Sequence, residues 1–131
     1  MKVIDSSALV KYFSREEGWQ KVEEHILDGV ITLDLAVKEI ANALWKKALK
    51  SEVEEHLVRE ILNDLIKARA IKIMSQDEFI IDAFELAVKH QITIYDALFI
   101  AFAKRLKLSL ITSDTRQAKI AKEEGIEVLV V

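Results

Sequence analysis

At 131 residues, 51% of them hydrophobic and none of them cysteine, the sequence has the length of one domain spanning 1–131 and the means to build a core without disulfides or thiolate metal ligands. No apolar run is long enough for a transmembrane helix, and the first residues lack a signal peptide's apolar region, so the expected setting is cytoplasmic, away from membranes. A net charge of −3 argues against coating nucleic acid by general attraction, but not against an enzyme that brings its own cations to a phosphate substrate.

In chain order, Val3 and Ile4 suit a short buried strand, and Asp5 stands at its carboxyl end. Ser6 and Ser7 then lead into a helix reaching Phe13. Trp19, Val22, Ile26 and Leu27 are spaced as a helix within Glu16 to Asp28, with Gly29 as its stop. Val30 to Leu33 reads as the second strand. Leu35 to Leu49 reads as a helix whose side opposite the aliphatic stripe carries Glu39, Asn42 and Lys46. The interval Glu52 to Arg69 is amphipathic, with a wide stripe from Val53 to Ile66 and Ser51 as its expected N-cap. The short break before it implies a helical hairpin.

Ala70 to Met74 alternates like a strand. Asp77 to His90 reads as a helix using Phe79, Ile80, Ala83, Phe84, Ala87 and Val88. Ile94 to Leu106 is apolar almost all round, so it must be buried on most sides or packed on a partner subunit. A strand over Leu108 to Thr112, a helix over Thr115 to Glu124 closed by Gly125, and a strand over Ile126 to Val131 complete the chain. Strands alternating with helices predict an α/β fold with a parallel sheet covered on both faces.

Four acids fall just after a strand or near the start of a helix: Asp5, Glu39, Asp96 and Asp114. In a parallel sheet those positions gather on the carboxyl edge of the strands, where such folds bind ligands. Each has a local role open to it. Asp5 and Asp114 can cap the helices that follow them, Thr93 to Asp96 resembles a capping box, and Glu39 can be a solvated glutamate. Together they form an oxygen-only ligand set suited to a hard divalent cation, Mg²⁺ or Mn²⁺, and hence to metal-assisted phosphodiester hydrolysis.

Val3 to Phe13 (VIDSSALVKYF), Val37 to Trp45 (VKEIANALW), Ile94 to Leu98 (IYDAL) and Leu110 to Asp114 (LITSD) resemble, in order, the four motifs of PIN domains. More narrowly, they resemble the short ribonuclease toxins of VapBC toxin–antitoxin pairs. The resemblance implies a PIN-like three-layer fold, its five-stranded parallel sheet ordered 3-2-1-4-5 and flanked by helices. It implies a Mg²⁺-dependent endoribonuclease, the toxin of a type II toxin–antitoxin system, with Asp5, Glu39, Asp96 and Asp114 as catalytic and metal-binding residues. Ser6, Ser7, Asn42 and Thr112 would orient those carboxylates or a water. Gln117 lies where some members carry a further acid, which bears on a second metal.

The partners implied are RNA, a cognate VapB-type antitoxin laid along a groove, and a second copy in a homodimer. Tyr12, Phe13 and Trp19 are candidates for the groove or for core, and the Val53 to Ile66 stripe can pack internally or between subunits. Lys46, with Lys47 and Lys50, could contact RNA phosphates, and Arg116 and Lys119, close to Asp114, are better placed to hold the substrate backbone. Lys104, Arg105 and Lys107 suit the negative end of their helix. His25, His56 and His90 form no metal-ligand pair in sequence. The competing class is a non-catalytic PIN-like module that binds RNA or protein.

Overall fold

The computed structural model describes residues 1–68 and 71–131. Five short strands, β1 (Lys2–Ile4), β2 (Val30–Leu33), β3 (Lys72–Met74), β4 (Leu110–Thr112) and β5 (Val128–Val130), form one sheet. Every pairing is parallel and the order is β3-β2-β1-β4-β5, as expected. Val3 lies in register between Ile31 and Leu110, so the first strand occupies the centre of the sheet. Val3 and Ile4 are fully buried, which explains a strand of β-branched residues without polar alternation.

The helices are α1 (Ser6–Phe13), α2 (Trp19–Asp28), α3 (Leu35–Leu49), α4 (Glu55–Asn63), α5 (Ile80–His90), α6 (Ile94–Leu106) and α7 (Thr115–Glu123). Gly29 takes φ +102, a conformation a side chain would resist, and so turns α2 directly into β2. The helix expected from Glu52 begins later. Ser51 adopts φ +59 in a turn and does not cap it; Glu54 holds the N-cap position. Its far end converts to a π-helical turn, Asp64–Ala68. The expected helix end at Arg69 and strand start at Ala70 lie outside the described residues.

Helix α6 is buried inside the chain, with Ala97 through Ala103 all inaccessible. It packs on β1, α5 and α7, which accounts for its apolar circumference. Phe102 meets Phe79, from the 3₁₀ turn Asp77–Phe79, edge to face at 4.9 Å. Helix α5 departs from the expected face. Ala83, Leu86 and Ala87 turn inward, while Ile80, Phe84 and Val88 stay exposed. Apolar residues mark both faces of α5, and the small alanines let it approach α6 closely. On the Val53 to Ile66 stripe, Ile61 and Leu65 are buried whereas Leu57 and Ile66 remain exposed.

The basic end of α6 makes ion pairs as well as facing its dipole. Lys104 reaches Glu124 at 2.6 Å, and Lys89 and His90 reach the same carboxylate at 2.8 and 2.7 Å. These bonds, Lys104's first, pull the Glu124 carboxyl down to about 2. Arg105 donates to the Glu78 carbonyl at 2.9 Å. Among the described residues, no single helix is long and apolar enough to cross a membrane.

Candidate active site

The sheet order reverses between β1 and β4, and the loops leaving those strands open a crevice there. Asp5 follows β1 and its amide bonds the Ile111 carbonyl of β4 at 3.1 Å. Asp114 follows β4, Asp96 lies in the first turn of α6, and Glu39 lies early on α3. All four acids line one cavity of about 570 Å³.

The structural hydrogen bonds engage one oxygen of each carboxylate they reach and leave the other. Asp5 Oδ1 accepts hydrogen bonds from Ser7 Oγ at 2.7 Å and from the Ala8 amide at 3.0 Å. Its Oδ2 is buried without a partner among the described residues. Asp114 Oδ1 likewise caps α7, accepting from the Arg116 and Gln117 amides, which leaves Oδ2. Glu39 Oε1 accepts from Ser6 Oγ at 2.7 Å, which leaves Oε2. At Asp96 the capping box is half made: its amide donates to Thr93 Oγ1 at 3.2 Å, and no hydrogen bond among the described residues engages its carboxylate. Each acid keeps at least one uncommitted oxygen.

The electrostatics are strained in the way a cation relieves. Burial, with Asp5 only 2% exposed, raises its pKa to about 6 against the nearby Thr112 hydroxyl and the hydrogen bonds from Ser7 and Ala8, and the Asp114 charge adds to the rise. Glu39 is raised by burial, offset by Ser6 and reinforced by Asp96. Among the described residues, no three such side chains stand close enough to grip an ion as they lie. The donor set itself fits a hard divalent ion: carboxylate oxygens only, one of them buried and orphaned.

Around the acids, Ser7 Oγ also accepts from the Ser113 amide at 2.8 Å and lies 3.2 Å from Thr112 Oγ1, which in turn accepts from the Asp114 amide. Ser6 thus bonds the Glu39 carboxylate and Ser7 that of Asp5, while Thr112 bonds the Ser7 hydroxyl and the Asp114 backbone. Three other residues expected at the site lie outside the cavity. Asn42 and Lys46 are exposed and do not line the cavity, because α3 directs only Glu39 toward it. Lys119 is exposed on α7 and also stays outside, one position beyond the buried Ala118. Arg116 lines a small adjoining cleft with Asp96, Asp114 and Gln117. Tyr12, Phe13 and Trp19 pack against one another, with Arg15 stacked 4.6 Å from Tyr12 and 4.2 Å from Trp19, and none lines the cavity.

Lys11, Glu16 and Ser113 line the cavity although sequence reasoning did not place them at the site, and Gln117 lines it at the position where a further acid was considered. Gln117 is 6% exposed, with Nε2 lacking a partner among the described residues. The signal for Lys11 is its position four residues after Ser7, on the same face of α1.

Residues 2–123 match the family model described as PIN domain. The chain belongs to the PIN domain family. Among PIN proteins it is similar to Ribonuclease VapC3 of Pyrobaculum aerophilum, 36% identical over 120 residues that cover 89% of this chain and 92% of the relative. Exonuclease VapC9 of the same organism is 28% identical over 123 residues, covering 94% of this chain and 86% of that one. The crystal structure of PAE2754 from Pyrobaculum aerophilum superposes with a TM-score of 0.72 at 25% identity, over 97% of this chain and 87% of its own.

Proposed function

We propose that this PIN domain is a VapC-type ribonuclease, a toxin that hydrolyses RNA phosphodiester bonds at the cavity of Asp5, Glu39, Asp96 and Asp114. The observation that carries the reading is the oxygen accounting: four acids converge, and the bonds that position Asp5, Glu39 and Asp114 leave an oxygen on each free. The similarity to Ribonuclease VapC3 supports the same chemistry. A non-catalytic binding module has no need for a buried carboxylate held at a raised pKa.

The free oxygens of Asp5, Glu39, Asp96 and Asp114 would hold Mg²⁺ or Mn²⁺, which would supply positive charge against the phosphodiester and lower the pKa of water. The chain's own residues do the rest. Ser7 and the Ala8 amide fix Asp5, Ser6 fixes Glu39, and the α7 cap fixes Asp114. Asp96, whose carboxylate makes no hydrogen bond among the described residues, is the one available to take the proton of an attacking water. Gln117 contributes a neutral amide where a further acid would raise the charge, and we assign one cation to the site on that ground.

We place the activity in the cytoplasm, under the control of a VapB-type antitoxin, and assign a homodimer to the exposed stripe of Ile81, Phe84 and Val88 on α5. Cleavage is endonucleolytic in this reading. The likeness to Exonuclease VapC9 favours a second reading, in which ends are required. Circular single-stranded RNA decides between them: opening of the circle in Mg²⁺, and not in chelator, supports the endonuclease. Degradation of linear RNA alone supports the exonuclease, and no degradation of either overturns both.

A further inference from the structure

The cavity is walled by carboxylates, and RNA brings phosphates to it. Glu16 also lines the wall but is paired with Lys47 at 3.2 Å, whereas four carboxylates exceed the charge of one divalent cation and leave the approach repulsive to a polyanion. Something in the wall must meet a phosphate directly.

Lys11 is the one lysine or arginine lining this cavity among the described residues. Helix α1 presents Ser7, Val10 and Lys11 along one stripe, so the side chain that bonds Asp5 and the lysine share a face. Lys11 lies about 6 Å farther along the helix axis than Ser7, a step comparable with that between neighbouring phosphates of a single strand. Lys47, by contrast, is committed to Glu16 at 3.2 Å and to Glu52 at 3.8 Å, whereas no ion pair among the described residues engages Lys11. Its amine lies beside Gly18, where a Cβ would come within 3.8 Å. The lysine is thus half-buried, uncommitted and set in an acidic wall.

We propose that Lys11 is a substrate-binding residue that grips an RNA phosphate next to the one being cleaved. The proposal rests on the ribonuclease reading above. It differs from a purely helical role, in which a lysine in the last turn of α1 would stabilise the fold without touching substrate.

The test compares wild type, Lys11→Gln, Lys11→Arg and, as a charge control, Lys72→Gln on the exposed edge strand β3. RNA cleavage kinetics are measured in Mg²⁺, and binding of a fluorescein-labelled oligouridylate is measured in chelator over a salt series. Lys11→Gln is expected to raise KM about tenfold, the loss of one charge-assisted contact, with a smaller change in kcat. It should also flatten the plot of log affinity against log salt by about 0.7. Lys11→Arg should restore both, and Lys72→Gln should leave KM as in wild type. A Lys11→Gln protein with wild-type KM and salt slope, beside a wild type that cleaves, overturns the Lys11 assignment alone. So does a variant whose only change is a lower melting temperature. A wild type that neither binds nor cleaves RNA overturns the ribonuclease reading and Lys11's role with it.

Discussion

Replacing Asp5 by Asn should make the metal-free protein more stable while destroying its activity. The carboxylate is buried, its Oδ2 has no partner among the described residues, and its pKa stands at about 6 instead of 3.8. That displacement corresponds to about 3 kcal/mol of destabilisation when the group is ionised. Asn keeps the acceptor that receives Ser7 and Ala8 but introduces an amide needing its own acceptor, with Asp114 nearby, so the net gain is about 1–2 kcal/mol. For a chain of this size the melting temperature should rise by about 4–8 °C.

The pH dependence has a definite sign. The folded pKa exceeds the unfolded one, so this group's stabilising contribution is complete below pH 3.8 and is lost as pH rises through about 6. The gap between variant and wild type should therefore be absent near pH 4 and open by pH 7. Urea melts in chelator across that range measure it. Added Mg²⁺ should narrow the gap, since only wild type keeps the full ligand set. An Asn variant less stable than wild type at neutral pH in chelator would refute the reasoning.

Three further outcomes follow from other parts of the molecule. Glu124→Gln should destabilise the fold by about 1–2 kcal/mol, less than the shift to about 2 alone implies because Lys89 and Lys104 are exposed and screened. Because that pKa is depressed, the contribution is present above pH 4.5 and disappears as pH falls toward 2; a gap that persists unchanged at the acid end contradicts the ion cluster. Gln117→Glu, which buries another carboxylate beside the four acids, should lower metal-free stability by about 1–3 kcal/mol, with Mn²⁺ restoring most of it in thermal melts. In the proposed homodimer, Phe84→Glu should shift sedimentation from dimer to monomer without lowering the monomer's helical content, since its side chain faces outward from α5, and a wild type that sediments as a monomer overturns that assignment.

The strand-then-acid pattern at Asp5 and Asp114 was legible because it depends on local sequence, and parallel pairing of β1 with β4 brings the two together. Apolar runs likewise placed β2, α3 and α6 to the residue. What the sequence left hidden depends on distance in space. Periodicity could not choose between the two apolar faces of α5, because the choice lies in the fit of Ala83 and Ala87 against α6. Asn42 and Lys46 share a helical side with Glu39, yet the helix carries them past the cavity. Lys11 reads as an ordinary helix-end lysine until the wall it lines is known. The Glu124 cluster joins residues up to 35 apart in sequence, beyond any local pattern.

The central claim is that the cavity of four acids is where RNA is hydrolysed. Its most direct test is single-stranded RNA cleavage by wild type and Asp96→Asn, each in Mg²⁺ and in chelator, because Asp96 is the acid whose carboxylate holds no structural bond among the described residues. The account predicts cleavage by wild type in Mg²⁺ alone, and a loss of at least about a hundredfold in a variant that still melts like wild type. Asp96→Asn cutting RNA at the wild-type rate would contradict it.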